Sequence, residues 1–137
     1  MTVHDAIAAA ERILPGQVAP EGEKDPRWQA IIAVGEFIRI DRDAVWSFIE
    51  KWGCYPDDDL RAAVSTCLLE HFLEYHFEDY IARVEQLALA NPHFADTVSG
   101  SWAFGRTEFR RNSRRFENLK RRIRNKERIR NKEKADE

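Results

Sequence analysis

The chain has 137 residues, 43% of them apolar and 34% charged, with a net charge of −2; this is one domain's worth, and its Trp and Phe suffice for a core. No run approaches the roughly 18 to 20 apolar residues that a membrane span needs, and residues 1–10 lack the basic-then-apolar order of a secretory leader, so a cytoplasmic protein is expected. The two cysteines, Cys54 and Cys67, sit in no CxxC spacing, which argues against a disulfide framework and against a zinc site.

Helical punctuation recurs along the whole chain. Thr2 with Asp5 makes a capping-box start, Val3, Ile7, Ala10 and Leu14 share a face, and Pro15-Gly16 stop the first helix. Asp25-Pro26 is an N-cap followed by proline at the first helical position, and Trp28, Ile31, Ile32, Gly35 and Ile38 follow at helical spacing, to an end near Ile40. Asp41 or Asp43 caps a third helix, with Val45, Phe48, Ile49 and Trp52 on one face and Gly53 as its stop.

From Asp57 a fourth helix carries the cleanest stripe: Leu60, Ala63, Val64, Cys67, Leu68, His71, Phe72 and Tyr75. Cys67 reads as a small core residue. A fifth helix, about Glu78 to Ala90, presents Ile81, Val84, Leu87 and Ala88 and closes at Asn91-Pro92. A sixth is expected over about Pro92 to Phe104, with Phe94, Val98 and Trp102, ended by Gly105. Beyond Thr107 a last helical stripe runs through Phe109, Phe116, Leu119 and Ile123 among Arg, Lys, Glu and Asn. No segment alternates as a strand would. The connections are short, so neighbouring helices should be antiparallel.

Laying Asp25-Pro26-Arg27-Trp28 beside Asp58-Asp59-Leu60-Arg61 brings an acidic cap, an early arginine and an apolar stripe into register, about one solenoid repeat apart. "DPRWQAIIAVGEFI" at 25–38 and "DDDLRAAVSTCLLEHF" at 57–72 each resemble the first helix of a HEAT/armadillo-type repeat, as found in short bacterial HEAT-like proteins. The resemblance covers about 25–105. "ADTVSGSWAFG" at 95–105 departs most from it, with Gly100 inside the expected helix. It implies an all-α superhelix of about three antiparallel helix pairs, whose faces bind proteins or nucleic acids.

Catalytic constellations are sparse. Asp57, Asp58 and Asp59 read as a helix cap opposing the positive end of the dipole. Glu70, His71, Glu74, His76, Glu78 and Asp79 are dense, but the spacing is neither HExxH nor Glu-x-x-His; His71 reads as a hydrogen-bonded histidine. Cys54 and Ser65 are the only nucleophiles worth naming, and neither has a histidine base at motif spacing. No catalytic residue, metal or cofactor is expected. Some DNA glycosylases are also HEAT-like, and such an enzyme is the alternative the resemblance offers. Here the acidic body would repel phosphate, and Trp28, Trp46, Trp52 and Trp102 read as hairpin and inter-repeat packing.

Charge is segregated. Residues 1–105 hold 8 Lys and Arg against 18 Asp and Glu, net −10, and residues 106–137 hold 14 against 6, net +8. The expected organisation is a helical domain over 1–119 and a basic low-complexity extension over 120–137, in which "RIRNKE" occurs twice in tandem. Six residues advance a helix by about 600°, so Ile123 and Ile129 point different ways and no coiled coil is implied. The expected function is a non-catalytic adaptor or regulator that binds a protein partner. Arg110, Arg111, Arg114, Arg115, Arg121, Arg122 and Arg124 would contact an acidic surface. That surface is a protein, including a neighbouring copy, or a nucleic acid; a merely solvated tail is the third reading.

Overall fold

Each expected cap forms, and the helices begin where their caps dictate. In the computed structural model, which describes residues 1–136, Thr2 and Asp5 close a reciprocal capping box on α1 (Val3–Ile13). Asp25 accepts from the Arg27 N–H at the start of α2 (Pro26–Gly35). Asp41 does the same for Ala44 in α3 (Arg42–Trp52), and Asp57 for Leu60 in α4 (Asp58–Val64). Asn91 ends α5 (Glu70–Ala90) and caps α6 (Pro92–Ser99). The chain closes with α7 (Arg110–Ala135). The fold is all-α, with no strand among the described residues, and none of their helices is long and apolar enough to cross a membrane.

The contacts have a regular plan. Helix α1 packs on α2 and α3 on α4, while α1 also touches α3 and α2 touches α4; α6 then packs on α4, and α7 lies across α5 and α6. Ion pairs repeat along this stack. Arg27, at the start of α2, donates to Asp57 (3.1 Å), Asp59 (2.8 Å) and the Gly16 carbonyl (3.3 Å). Arg61, at the end of the first turn of α4, donates to Asp96 of α6 (3.1 Å) and the Tyr55 carbonyl (2.9 Å), and pairs with Asp58. Both arginines are buried, at 1% and 5% exposure. Burying a guanidinium is costly, and the several acceptors placed around each fork offset that cost.

The fourth and fifth helices form one kinked rod, two helices that meet at His76 without a loop between them. Leu60, Val64, Leu68, Phe72, Tyr80, Val84 and Ala88 are all buried, and their spacing is four residues or a multiple of it. An α-helix turns about 400° in four residues, so such a row drifts by about 40° per step. Two irregularities take up the drift. Ser65–Leu69 form a π-helical turn, which is wider than an α turn, and His76 leaves helical geometry (φ −130°, ψ 27°). The kink is fastened by the His76 Nε2–H, which donates to the Ile38 carbonyl at 2.8 Å. Beyond the π turn Leu69 and Leu73 join the core, whereas His71 is only half-buried and Tyr75 is 42% exposed.

Trp46 sits at the centre of the aromatic core, edge-on to Phe94 at 6.2 Å and tilted against Phe72 and Tyr80. Trp52 is also buried and Trp28 partly so. The sixth helix is shorter than expected. It stops at Ser99 with Gly100 as its C-cap, because Ser101 turns inward to hydrogen-bond Ser65, Oγ to Oγ, at 3.0 Å. A strap without regular secondary structure over 101–104 and a 3₁₀ turn, Gly105–Glu108, then lead to α7. Trp102 lies on this strap and is 72% exposed rather than packed.

Candidate interaction surface

Helix α7 has two faces of different chemistry. Phe116, Leu119 and Ile123 are buried against the body. Polar clamps flank this row: Arg106 grips Glu78 through Nε and Nη2 (2.7 and 2.9 Å), Asn112 joins it at 2.9 Å, and Arg115 grips Glu85 (3.1 and 2.7 Å). The Arg106 guanidinium holds the Glu78 carboxyl down at about 2. Lys120 donates to the Ser101 carbonyl at 2.6 Å, and burial pushes its ammonium below the ordinary lysine range. Lys126 bonds the Leu89 carbonyl at the end of α5. The helix therefore runs through residue 120 without a break and remains docked at Ile123.

The opposite face is cationic. Arg110, Arg111, Arg114, Arg121, Arg122 and Arg124 are exposed, and none forms a salt bridge among the described residues; Arg121 only donates to Asn118, at 3.3 Å. At 100° per residue Arg110, Arg114 and Arg121 fall within about 40° of one another, and Arg128 and Lys132 continue the same row. This row lies opposite the Phe116–Leu119–Ile123 stripe and covers roughly 33 Å of helix at 1.5 Å per residue. Arg111 and Arg122 stand on one flank and Arg124 on the other. Of the seven arginines predicted to contact a partner, Arg115 differs, because it is already committed to Glu85.

Comparison of the chain with protein-family models, with curated proteins and with solved structures finds no match. The functional reading therefore rests on the side chains themselves. No group of three or more His, Cys, Asp or Glu among the described residues is arranged to hold a metal ion. His71 bonds Glu74 through Nδ1 (3.0 Å) and stacks on Phe104, with ring centroids 5.6 Å apart. Burial raises both thiols, Cys54 and Cys67, which keeps them protonated and poorly nucleophilic. Ser65 is buried against Ser101 with no histidine on its hydroxyl. Asp57 caps α4, and the Leu60 N–H, with Arg27 beside it, lowers its carboxyl.

Sequence periodicity overlooks three exposed aromatics close together in the chain: Trp102 (72%), Phe104 (40%) and Phe109 (54%). The usable signal is the pair Gly100 and Gly105, which brackets an aromatic segment that has no helical period of its own.

Proposed function

We propose that this is a non-catalytic binding protein of the cytoplasm, a short HEAT-like stack of helix pairs that docks an acidic partner along the outer face of α7. The observation that carries this reading is the division of labour on α7. Its inner face is fixed by Phe116, Leu119 and Ile123, while the arginines opposite them, with Glu117 among them, form no salt bridge among the described residues. Unpaired guanidiniums on a fixed helix are ready to neutralise an external surface without first breaking internal pairs. The solenoid part of the proposal draws on two buried-arginine pairs, Arg27 to Asp59 and Arg61 to Asp96, which tie α2 to α4 and α4 to α6.

The test is retention on heparin, a generic polyanion, followed against salt. A triple variant, Arg114→Gln, Arg121→Gln and Arg128→Gln, should elute at clearly lower salt than the parent while melting at the same temperature. A control removing the same charge from the body, Arg12→Gln, Lys24→Gln and Arg83→Gln, should elute close to the parent. Equal shifts for the two triples would mean that retention follows net charge and that α7 is not the docking face.

A further inference from the structure

The strap over residues 101–104, with the glycine at each end of it, is built to hold the backbone beneath exposed aromatic side chains still. At one end Gly100 lies so close to Ser65 that a Cβ would stand 2.9 Å from Ser65 Oγ. At the other, Gly105 has φ +52°, and a Cβ there would meet Glu74 Cγ at 2.5 Å and the Glu74 carbonyl oxygen at 2.8 Å. Between these pins the Trp102 N–H donates to Glu70 Oε2 at 2.7 Å, and Lys120 holds the Ser101 carbonyl. Glu70 is 6% exposed. A buried carboxylate and a half-buried ammonium thus fix the backbone on which Trp102 stands, yet the indole itself is left in solvent. Phe104 is braced by His71 beneath it. Packing energy does not account for this arrangement, because the ring contributes little burial. With the backbone pinned, only the indole's own rotation remains to be lost when a ligand stacks on it.

The strap also adjoins the basic helix. Lys120 of α7 bonds the residue just before Trp102, and Arg124 follows one turn further along the helix. Phe109 immediately precedes α7, with the Arg106 guanidinium 5.1 Å from its ring centroid. Phe109 thus stands at the first turn of α7, and the backbone that carries Trp102 lies at the level of Lys120.

We propose that the acidic partner of α7 is a single-stranded nucleic acid, whose bases stack on Trp102 and Phe109 while its phosphates are neutralised by Arg110, Arg114, Arg121 and Arg124. The proposal rests on the binding role given to α7 above and adds the class of ligand. Single strands expose base faces that a duplex conceals, and alternating aromatic and cationic side chains are what such strands require. The body, at net −10 over residues 1–105, repels phosphate and confines the strand to this edge.

The experiment compares three ligands at matched salt on the full-length protein: oligothymidine, an abasic strand of equal length, and polyglutamate. Binding is read by fluorescence anisotropy of labelled ligand and by quenching of tryptophan emission. Oligothymidine should bind about tenfold or more tightly than the abasic strand, and Trp102→Ala, which should melt like the parent, should remove that advantage and most of the quenching. Arg114→Gln, Arg121→Gln and Arg128→Gln together should weaken both strands. Equal binding of oligothymidine and abasic strand by the parent would overturn base stacking and leave the α7 docking reading intact. Binding of polyglutamate but of neither strand would do the same and assign α7 to an acidic protein. Oligothymidine binding unchanged in the arginine triple variant would instead overturn the docking role of α7 itself.

Discussion

Asp57, Asp58 and Asp59 are consecutive carboxylates with three different jobs. Asp57 caps α4, Asp58 is 91% exposed at its side chain beside Arg61, and Asp59 accepts from both Arg27 (2.8 Å) and the Trp28 indole N–H (3.0 Å). The capping role is legible in the sequence because a cap is local. The role of Asp59 is not, since its partners lie more than thirty residues earlier and an arginine after a helix cap reads as solvated. Removing Asp59 would cost the buried Arg27 its shortest charge-assisted bond while Asp57 and the Gly16 carbonyl remain, so Asp59→Ala should destabilise by about 1.5 to 3 kcal/mol, whereas Asp58→Ala should cost less than about 1 kcal/mol. Urea unfolding of the two variants checks this, and comparable losses would contradict the assignment. Glu78 gives a pH test. Its carboxyl falls from an ordinary 4.5 to about 2 beside Arg106, so its contribution is present above about pH 4.5 and is lost as pH drops through about 2. Both partners are nearly half exposed, which limits Glu78→Gln to a loss below about 1 kcal/mol near neutrality. The difference from the parent should shrink to nothing in melts near pH 2.

At the scale of elements, the apolar stripe of the fourth helix is plain in the sequence, but its strict four-residue period hides the π turn. Read as an ordinary α-helix, the stripe places His71 and Tyr75 among core residues; the wider turn at 65–69 lets Leu69 and Leu73 take those places. The difference comes from backbone winding, which residue types barely encode. Leu68 sits in that turn at 0% exposure, so Leu68→Ala should destabilise by about 2 to 5 kcal/mol. A near-neutral result in denaturant melts would mean that the rod is not central to the core. The strap shows the opposite limit. Gly100 and Gly105 are visible as punctuation, yet what makes them necessary is the approach of Ser65 and Glu74 from another helix, and only the folded chain reveals that.

Across the whole molecule, the segregation of charge is read directly from sequence, but the place where folding ends and binding begins is not. A boundary at residue 119 follows from composition, since apolar residues thin out beyond it. The packing of Ile123, together with the bonds from Lys120 to the strap and from Lys126 to the end of α5, ties another two turns of helix to the body. Past Lys126 the remaining cations, Arg128, Arg130, Lys132 and Lys134, are exposed and form no salt bridge among the described residues. A chain ending at Lys126 should therefore melt close to the full-length temperature, because it loses no buried side chain among the described residues; it sheds as many acidic as basic residues, so lower-salt elution from heparin would come from the loss of Arg128 and Lys132 from the row and not from net charge. A chain ending at Leu119 loses Ile123 as well, and the large-to-small scale for a buried isoleucine puts that loss at about 2 to 5 kcal/mol. On the roughly 2 to 8 °C per kcal/mol expected of domains near this size, the shorter chain should melt several degrees lower. If both truncations melt alike, the last helix is an appendage; if only the shorter one falls, α7 completes the fold with one face and carries the binding charge on the other.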